Sequence, residues 1–305
     1  MGRALAEQRP ECRAVFDEAD AALGFPLSRL CFEGPDEELR QTENTQPAIL
    51  TVSVAAARLL QASGIQPDLA AGHSLGEYSA HVIAGTLAFP DAVRIVRQRG
   101  RYMQEAVPVG EGAMAAVLGL DAARVEQACA EAAGEGLVSP ANFNAPGQVV
   151  IAGTREAVAR AGERARSLGA KRIIPLSVSA PFHCALMQPA QERLEPELRA
   201  LTIADPAIPV FANVDGEPRT TASAAIDALV AQVSAPVRWD ALVRRLASAG
   251  VRAYVEVGPG AVLSGLVRKI DRDARVANLE TPEQLDSVVA LAVEARRSSS
   301  GVSST

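Results

Sequence analysis

The sequence is poor in aromatic residues and in cysteine. Aromatic side chains make up 4% of its 305 residues, and acidic residues outnumber basic ones, 36 to 30, for a formal net charge of −6. A nucleic-acid surface needs a basic stripe and stacking platforms, so this composition argues against such a partner. Four widely spaced cysteines are too few for a disulfide scaffold and lack the close pairs of a zinc site. We therefore expect a reducing, cytoplasmic setting and no metal centre.

Long hydrophobic runs are also missing. Two uncharged stretches, residues 136–154 and 173–191, are interrupted by Pro, Asn or Gln, and neither has the composition of a membrane span. The first residues carry charges where a secretory signal would have its apolar stretch. With 48% hydrophobic residues, the chain can instead bury one large core or two smaller ones, and we expect no membrane association.

Hydrophobic periodicity predicts that the chain opens with helices. Apolar residues recur at helical spacing over residues 4–23 and stop at Gly24, which predicts one helix with a left-handed cap. A second helix is predicted over residues 46–60, with Pro47 in its first turn. Because that segment is apolar on most sides, we expect the second helix to be buried.

The middle of the chain has a different pattern. Strands are predicted over residues 113–120, 149–153 and 172–178, and helices over residues 122–133 and 155–168. This alternation resembles a small βαββαβ insert within a larger α/β pattern, which resumes near residue 210. The serine-rich segment 298–305 is expected to be a disordered tail.

The sharpest local motif is Gly72-His73-Ser74-Leu75-Gly76, a G-x-S-x-G between a predicted strand and a predicted helix. Flanking glycines permit a strained turn that exposes the serine hydroxyl, and the helix N-terminus behind it favours developing negative charge. Ser74 is therefore a candidate nucleophile. The alternative is a glycine-rich turn in which the serine merely caps the helix.

A nucleophilic serine needs a base, and the chain has three histidines. The side chain of His73 should diverge from that of its neighbour Ser74, and His81 lies further along the predicted helix, packed or solvated. His183 lies in an uncharged loop after a strand and is the best base by elimination. One sequence alone does not show that residues 74 and 183 meet, so a structural histidine stays open as the alternative.

Helical geometry over residues 91–105 isolates one arginine. At about 100° per residue, Arg99 falls among apolar residues, whereas Arg94, Arg97 and Arg101 share the opposite face. A buried guanidinium without an anion is costly, so Arg99 must meet a carboxylate. That carboxylate belongs either to the protein or to a ligand, and in the second case the guanidinium would select an anionic acyl group.

Six short motifs follow one another along the chain: Thr45-Gln46-Pro47-Ala48, Gly72-His73-Ser74-Leu75-Gly76-Glu77-Tyr78-Ser79-Ala80, Arg99-Gly100, Asn142-Phe143-Asn144-Ala145-Pro146-Gly147-Gln148, Phe182-His183 and Glu256-Val257-Gly258-Pro259-Gly260. In this order they resemble the malonyl-CoA:acyl carrier protein transacylase family of fatty acid synthesis. The resemblance spans about residues 1–290.

This resemblance implies an α/β fold, with an α/β-hydrolase-like large subdomain and an inserted ferredoxin-like small subdomain. The large subdomain would comprise residues 1–106 and 188–297, and the small one residues 107–187. The family normally begins with a strand and a Gly-Gln-Gly-Ser-Gln loop that supplies one oxyanion N–H, and the sequence starts after both. We therefore hypothesise that the natural start lies upstream of Met1.

The resemblance also implies the site and its ligands. Ser74 would be the nucleophile and His183 the general base and acid. The main-chain carbonyl of Gln232 would orient the histidine, and the Leu75 N–H would donate to the oxyanion. Arg99 and Gln46 would bind the malonyl group. The substrates would be malonyl-CoA and the phosphopantetheine thiol of acyl carrier protein, with no metal or cofactor and a monomeric enzyme. An acidic carrier would meet a basic patch, for which the candidates are Arg94, Arg97, Arg101, Lys171 and Arg172.

Three alternative functions stay open. A serine thioesterase or hydrolase shares the elbow, but it would need an acidic triad member, and no Asp or Glu is clearly placed for one. A freestanding malonyl-loading acyltransferase for a polyketide synthase would share the motifs, and Phe182 before His183 fits malonyl better than a branched extender. A catalytically weak carrier-binding protein is the third.

Overall fold

Helices and short strands alternate along the chain in the computed structural model, which describes residues 1–134, 136–178 and 180–300. The α-helices are α1 Arg3–Gln8, α2 Pro10–Leu23, α3 Leu27–Glu33, α4 Asp36–Leu39, α5 Thr42–Ala62, α6 Leu75–Ile83, α7 Phe89–Glu105, α8 Ala122–Ala132, α9 Arg155–Ser167, α10 Gln188–Arg199, α11 Ala222–Gln232, α12 Trp239–Ser248, α13 Val262–Ile270 and α14 Leu285–Ser300. The strands are β1 Ala70–Ala71, β2 Gly112–Leu118, β3 Val138–Ala145, β4 Gln148–Thr154, β5 Arg172–Pro175, β6 Val210–Phe211, β7 Pro218–Arg219, β8 Ala253–Val257 and β9 Arg275–Leu279. Short 3-10 helices cover Ala185–Met187 and Pro282–Gln284.

The predicted single opening helix is wrong, because the chain forms α1 and α2 with a break at Arg9. Arg9 has an extended backbone, with φ −133° and ψ 111°. Pro10 follows it, and a proline both lacks an N–H and disfavours the helical region for the residue before it. The predicted end is confirmed, since α2 stops at Leu23 and Gly24 adopts the left-handed conformation, φ 72°.

The long helix α5 is buried, as its composition predicts, but it begins earlier than expected. Its first residue is Thr42, so Pro47 lies inside the helix rather than in its first turn. The missing proline N–H leaves the Glu43 carbonyl without its intrahelical donor. Most of the helix is enclosed, and it packs against α2, α6, α7 and β8 at the centre of the largest hydrophobic cluster.

Two small sheets accompany this helical core. One has the order β1-β6-β7, with β1 parallel to β6 and β6 antiparallel to β7. The other is the parallel pair β8-β9, whose residues are nearly all half-buried. The strand predicted directly before the G-x-S-x-G motif comprises only the two residues of β1, because only these pair with β6.

The middle of the chain forms the β-α-β-β-α-β order that the sequence pattern predicts. Its four strands make an antiparallel sheet in the order β3-β4-β2-β5, and α8 and α9 pack over it with their own apolar cluster. The pattern does not reveal β3, which contains Pro140 and is bulged in two places. The other edge of β3 meets the helical core, since the N–H of Phe143 donates to the Val237 carbonyl at 2.8 Å.

The end of α14 overlaps the predicted tail. The helix runs to Ser300, so the first three residues of the segment 298–305 are helical. The remaining five lie outside the described residues.

Candidate active site

The G-x-S-x-G motif forms a sharp turn from β1 into α6. Ser74 is the N-cap of α6 and has φ 52° and ψ −109°, a strained conformation for a non-glycine residue. Gly72 is required because a Cβ there would lie 1.9 Å from the Gly76 carbonyl carbon. The predicted elbow is therefore present, and it lifts the Ser74 side chain out of the turn.

Ser74 and His183 meet although they are 109 residues apart. The Ser74 Oγ lies 2.7 Å from Nε2 of His183, which is 3% exposed and also has a positive φ, 58°. Nδ1 of His183 lies 3.0 Å from the main-chain oxygen of Gln232. A carbonyl oxygen only accepts, so Nδ1 carries the proton and the lone pair of Nε2 faces the serine hydroxyl.

Burial and a nearby cation keep His183 neutral. Desolvation, followed by the charge of Arg99, lowers the pKa of His183 to about 3. A neutral imidazole is the form that accepts a proton from serine. An anion bound at Arg99 would offset the second cause and raise this pKa towards neutrality.

Arg99 is the buried arginine that the helical geometry predicts. It is 2% exposed, and its guanidinium donates to the Gln46 Oε1 at 2.7 Å, the Gln232 Oε1 at 2.9 Å and the Ser74 Oγ at 3.1 Å. Of the two sources of an anion that the sequence leaves open, the direct protein partner is not found. Within the described residues, no carboxylate lies within salt-bridge distance of Arg99.

The Gln232 side chain joins the site in a way that the sequence does not predict. Its Nε2 donates to the Ser74 carbonyl at 2.9 Å and to the Glu77 Oε2 at 2.7 Å, while its Oε1 accepts from Arg99. Glu77 is fully buried, and desolvation raises its pKa to about 7. Glu77 directly follows the G-x-S-x-G motif in the sequence, but nothing in the motif indicates that the Glu77 side chain is buried.

Asn213 is a second residue that sequence reasoning missed. Its Oδ1 accepts from the Ser74 N–H at 2.6 Å, and its Nδ2 donates to the Gly72 carbonyl at 2.7 Å. Asn213 is fully buried and follows β6, the parallel neighbour of β1. Polar residues at the carboxyl ends of adjacent parallel strands converge, which is the signal that would have indicated it.

Leu75, His73 and His81 lie at or near the elbow in three different environments. Leu75 is the first residue of α6, where an N–H has no intrahelical acceptor, so that group is suited to an oxyanion. His73 turns away from Ser74, with its Nε2 2.9 Å from the Asn144 Oδ1 of β3. His81 is fully buried in α6, with its Nδ1 3.3 Å from the Thr86 Oγ1.

The candidate basic residues are mostly exposed, and two of them are already paired. Arg94 lies 3.0 Å from Asp91, and Arg101 lies 3.8 Å from Glu105. Arg97 is half-buried, with its guanidinium carbon 4.3 Å from the centre of the Phe25 ring. Lys171 and Arg172 lie at the start of β5, in the middle segment.

The part of the chain that the structure describes contains neither a metal-binding cluster nor a membrane-spanning helix. No group of three or more His, Cys, Asp or Glu side chains there is arranged to hold a metal ion. None of the helices there is both long enough and apolar enough to cross a membrane.

The chain has close relatives among known proteins. A family model described as acyl transferase domain matches residues 1–298. The malonyl CoA-acyl carrier protein transacylase of Escherichia coli (strain K12) is 50% identical over 288 residues, which cover 94% of this chain and 93% of the relative. The protein of the same name from Bacillus subtilis (strain 168) is 49% identical over 290 residues, 95% of this chain and 92% of the relative.

Solved structures agree with these relatives. The malonyl CoA-acyl carrier protein transacylase from Coxiella burnetii has a TM-score of 0.93 and 43% identity, covering 96% of this chain and 93% of that one. A malonyl-transacylase in complex with its type II PKS acyl-carrier protein has a TM-score of 0.93 and 46% identity, covering 95% and 94%. The motifs, the geometry around Ser74 and these relatives agree, and the chain belongs to the acyl transferase domain family and, within it, to the malonyl CoA-acyl carrier protein transacylases.

Proposed function

We propose that this protein transfers the malonyl group from malonyl-CoA to the phosphopantetheine thiol of acyl carrier protein. The observation that carries the proposal is the site itself, where a Ser74–His183 pair lies beside a buried Arg99 with no direct carboxylate partner within the described residues. A serine nucleophile accounts for acyl transfer, and the guanidinium accounts for an acyl group with its own carboxylate.

The first half-reaction forms a malonyl-serine. The Ser74 Oγ attacks the thioester carbon while His183 Nε2 takes the hydroxyl proton, and Nδ1 stays on the Gln232 carbonyl. The oxyanion accepts from the Leu75 N–H at the start of α6, where the helix dipole favours negative charge. The carbon–sulfur bond then breaks, and His183 returns the proton to the coenzyme A sulfur. The carrier thiol repeats these steps in reverse.

Arg99 and Gln46 select the acyl group. The guanidinium would bind the malonyl carboxylate beside the Gln46 amide, which it already contacts. An acetyl group has no carboxylate, so it would leave the buried cation without a direct anionic partner. The two residues therefore favour malonyl over acetyl.

The surroundings of His183 argue against a hydrolase of the Ser-His-Asp type. Nδ1 meets a main-chain carbonyl, not an Asp or Glu side chain. A role in polyketide synthesis is a second candidate pathway for the same reaction, since one similar structure is a malonyl-transacylase in complex with its type II PKS acyl-carrier protein. A weak binding protein is disfavoured by the 2.7 Å serine–histidine contact.

For the architecture, we infer an α/β-hydrolase-like large subdomain, residues 1–106 and 188–297, and a ferredoxin-like small subdomain, residues 107–187. Support comes from the β-α-β-β-α-β order of the middle segment and from its own apolar cluster. We further propose a cytoplasmic monomer that needs no cofactor.

Intact mass spectrometry after brief mixing with malonyl-CoA tests the reaction. The protein should gain one malonyl group, and holo carrier protein should remove it. Ser74→Ala should gain nothing, whereas Ser79→Ala, a buried serine of the same helix, should be acylated like the parent. An adduct that survives Ser74→Ala, or one lost to water as fast as to the carrier, would reject the proposal.

A further inference from the structure

The molecule buries two ionic side chains of opposite sign. Among the Asp, Glu, Lys and Arg residues that the structure describes, only Glu77 and Arg99 are buried, at 0% and 2% exposure. Burying a charge is expensive unless another charge or several hydrogen bonds compensate for it. The two groups do not touch, so something between them must carry the compensation.

The Gln232 amide is that connection. Its Oε1 accepts from Arg99 Nη2 at 2.9 Å, and its Nε2 donates to Glu77 Oε2 at 2.7 Å. The oxygen end of the amide dipole thus faces the cation and the N–H end faces the anion. The reversed amide would point its N–H groups at the guanidinium, so the two charges together fix its orientation.

Glu77 also lies next to the elbow. Its Oε2 accepts from the main-chain N–H of Asn213 at 3.0 Å, and its own N–H donates to the Ser74 carbonyl at 3.1 Å. Its Oε1 is buried and has no hydrogen-bond partner among the described residues. One carboxylate oxygen is therefore well compensated and the other is not, which favours a proton on Oε1.

We propose that Glu77 is the internal counter-charge of Arg99, connected to it through the Gln232 amide, and that it takes up a proton when a malonyl carboxylate binds Arg99. This inference rests on the proposed malonyl transfer. Once the ligand carboxylate arrives, one buried cation faces two anions. The state of lower free energy has a neutral Glu77. Its Oε1 carries a proton taken from solvent, and its Oε2 still accepts from Gln232 and Asn213.

The charged and titratable neighbours are consistent with this proton uptake. Desolvation raises the pKa of Glu77 to about 7, and it outweighs the hydrogen bonds from Gln232 and Asn213 and the charges of Arg219 on β7 and Arg99 on α7, which all favour the ionised form. On its own helix Glu77 has Tyr78, whose pKa is raised to about 12, and His81, whose pKa is lowered to about 4, so both are neutral near pH 7. A small further change at Arg99 is therefore enough to shift the protonation of Glu77.

Proton counting during binding tests the proposal on a protein that is not acylated. In Ser74→Ala, isothermal titration with malonyl-CoA in buffers of different ionisation enthalpy gives the protons taken up per ligand. We expect an uptake of up to about half a proton at pH 7, because a group of pKa near 7 is half ionised there and can gain no more. Acetyl-CoA should cause no proton uptake beyond the uptake that coenzyme A alone causes. Equal uptake for the two ligands would overturn the proposal.

A Glu77→Gln change on the same background assigns the proton. The amide keeps an acceptor for Gln232 and Asn213 but removes the competing charge, so malonyl-CoA should bind about three- to tenfold more tightly at pH 8, without the extra proton. A merely structural Glu77 would instead weaken binding when changed. Glu18→Gln, which removes a carboxylate paired with Arg58 at 2.9 Å, is the matched control and should alter neither quantity.

The position of the proton can also be read without changing Glu77. An infrared difference spectrum of the Ser74→Ala complex, with the malonyl carboxyls labelled with carbon-13, should show a new carboxylic acid band from the protein. Uptake without that band, or uptake that persists in Glu77→Gln, would assign the proton to His183 and overturn the proposal. Failure of malonyl transfer itself would appear separately, as an absent Ser74 adduct in the parent protein.

Discussion

Helix α7 places arginines in two contrasting environments. On its exposed face Arg94 and Arg101 each have a carboxylate within 4.0 Å, Asp91 and Glu105, on the same helix. On its buried face Arg99 has two amide oxygens and a serine hydroxyl instead. Exposed ion pairs contribute little, whereas an uncompensated buried cation is expensive. Among the residues that the structure describes, Arg99 has no direct carboxylate partner although it is buried, which is expected if a substrate carboxylate binds it.

Removing the buried arginine should have the largest effect. Arg99→Ala should lower kcat/KM for malonyl-CoA by roughly thirtyfold to several thousandfold, since truncating one member of a buried charge pair costs about 2–5 kcal/mol. Acetyl transfer should suffer much less, because its substrate makes no such pair. Steady-state rates with both thioesters measure the change in the malonyl/acetyl ratio.

Arg99→Lys refines this test. A lysine keeps the charge but loses the planar fork that contacts Gln46 and Gln232 together. We expect part of the malonyl preference to return. A ratio that stays at the parent value in Arg99→Ala would contradict the role of this residue and remove the contrast between the two faces of α7.

His81 differs from Arg99, because a buried histidine can lose its proton and become neutral, whereas a buried arginine stays charged. Burial lowers the pKa of His81 to about 4 from its ordinary 6.5. The unfolded chain therefore binds a proton between pH 6.5 and 4 that the folded chain does not, so stability falls as pH falls through this window. For this residue the loss should reach about 2 kcal/mol at pH 5 relative to pH 7.5.

Denaturant unfolding of His81→Gln at these two pH values measures how much of the acid-induced loss of stability is due to His81. The variant should lose less stability on acidification than the parent protein. His183, with its pKa lowered to about 3, adds a similar slope, so His183→Gln serves as the second reference. An acid-induced loss that is equal in His81→Gln and the parent would show that His81 is already protonated in the folded state.

The sequence predicts the local parts of the site and misses the distant ones. The elbow at Ser74 and the buried position of Arg99 follow from residues close together in the chain, and the structure has both. Asn213 and the Gln232 amide contact Ser74 and Glu77 across 136 to 158 residues, and no periodicity or spacing encodes such a meeting. Elimination among three histidines favours His183 as the base, but only the structure shows that it meets Ser74.

The fold divides in a similar way. Strong helical periodicity located the main helices, and errors arose at prolines: Pro10 divides the opening helix, and Pro47 lies inside α5 instead of starting it. The strand β3 is not predicted because it contains Pro140, which disfavours a strand, and because its bulges interrupt the regular register. Short strands such as β1 are defined by their partners, which the local sequence does not specify.

The exposed face of α7 should give the smallest effect. Arg94→Ala and Arg101→Ala each remove a pair that is about half exposed on the arginine side, so the free energy of unfolding should fall by less than about 1 kcal/mol. If this face also meets an acidic carrier protein, both changes should raise the KM for the carrier a few-fold at low salt and much less at high salt. Acylation of Ser74 by malonyl-CoA should stay at the parent rate, because neither side chain contacts Ser74 or its partners. A loss of acylation as large as that of Arg99→Ala would mean that the exposed arginines also bind the acyl donor, and the distinction between the two faces would no longer hold.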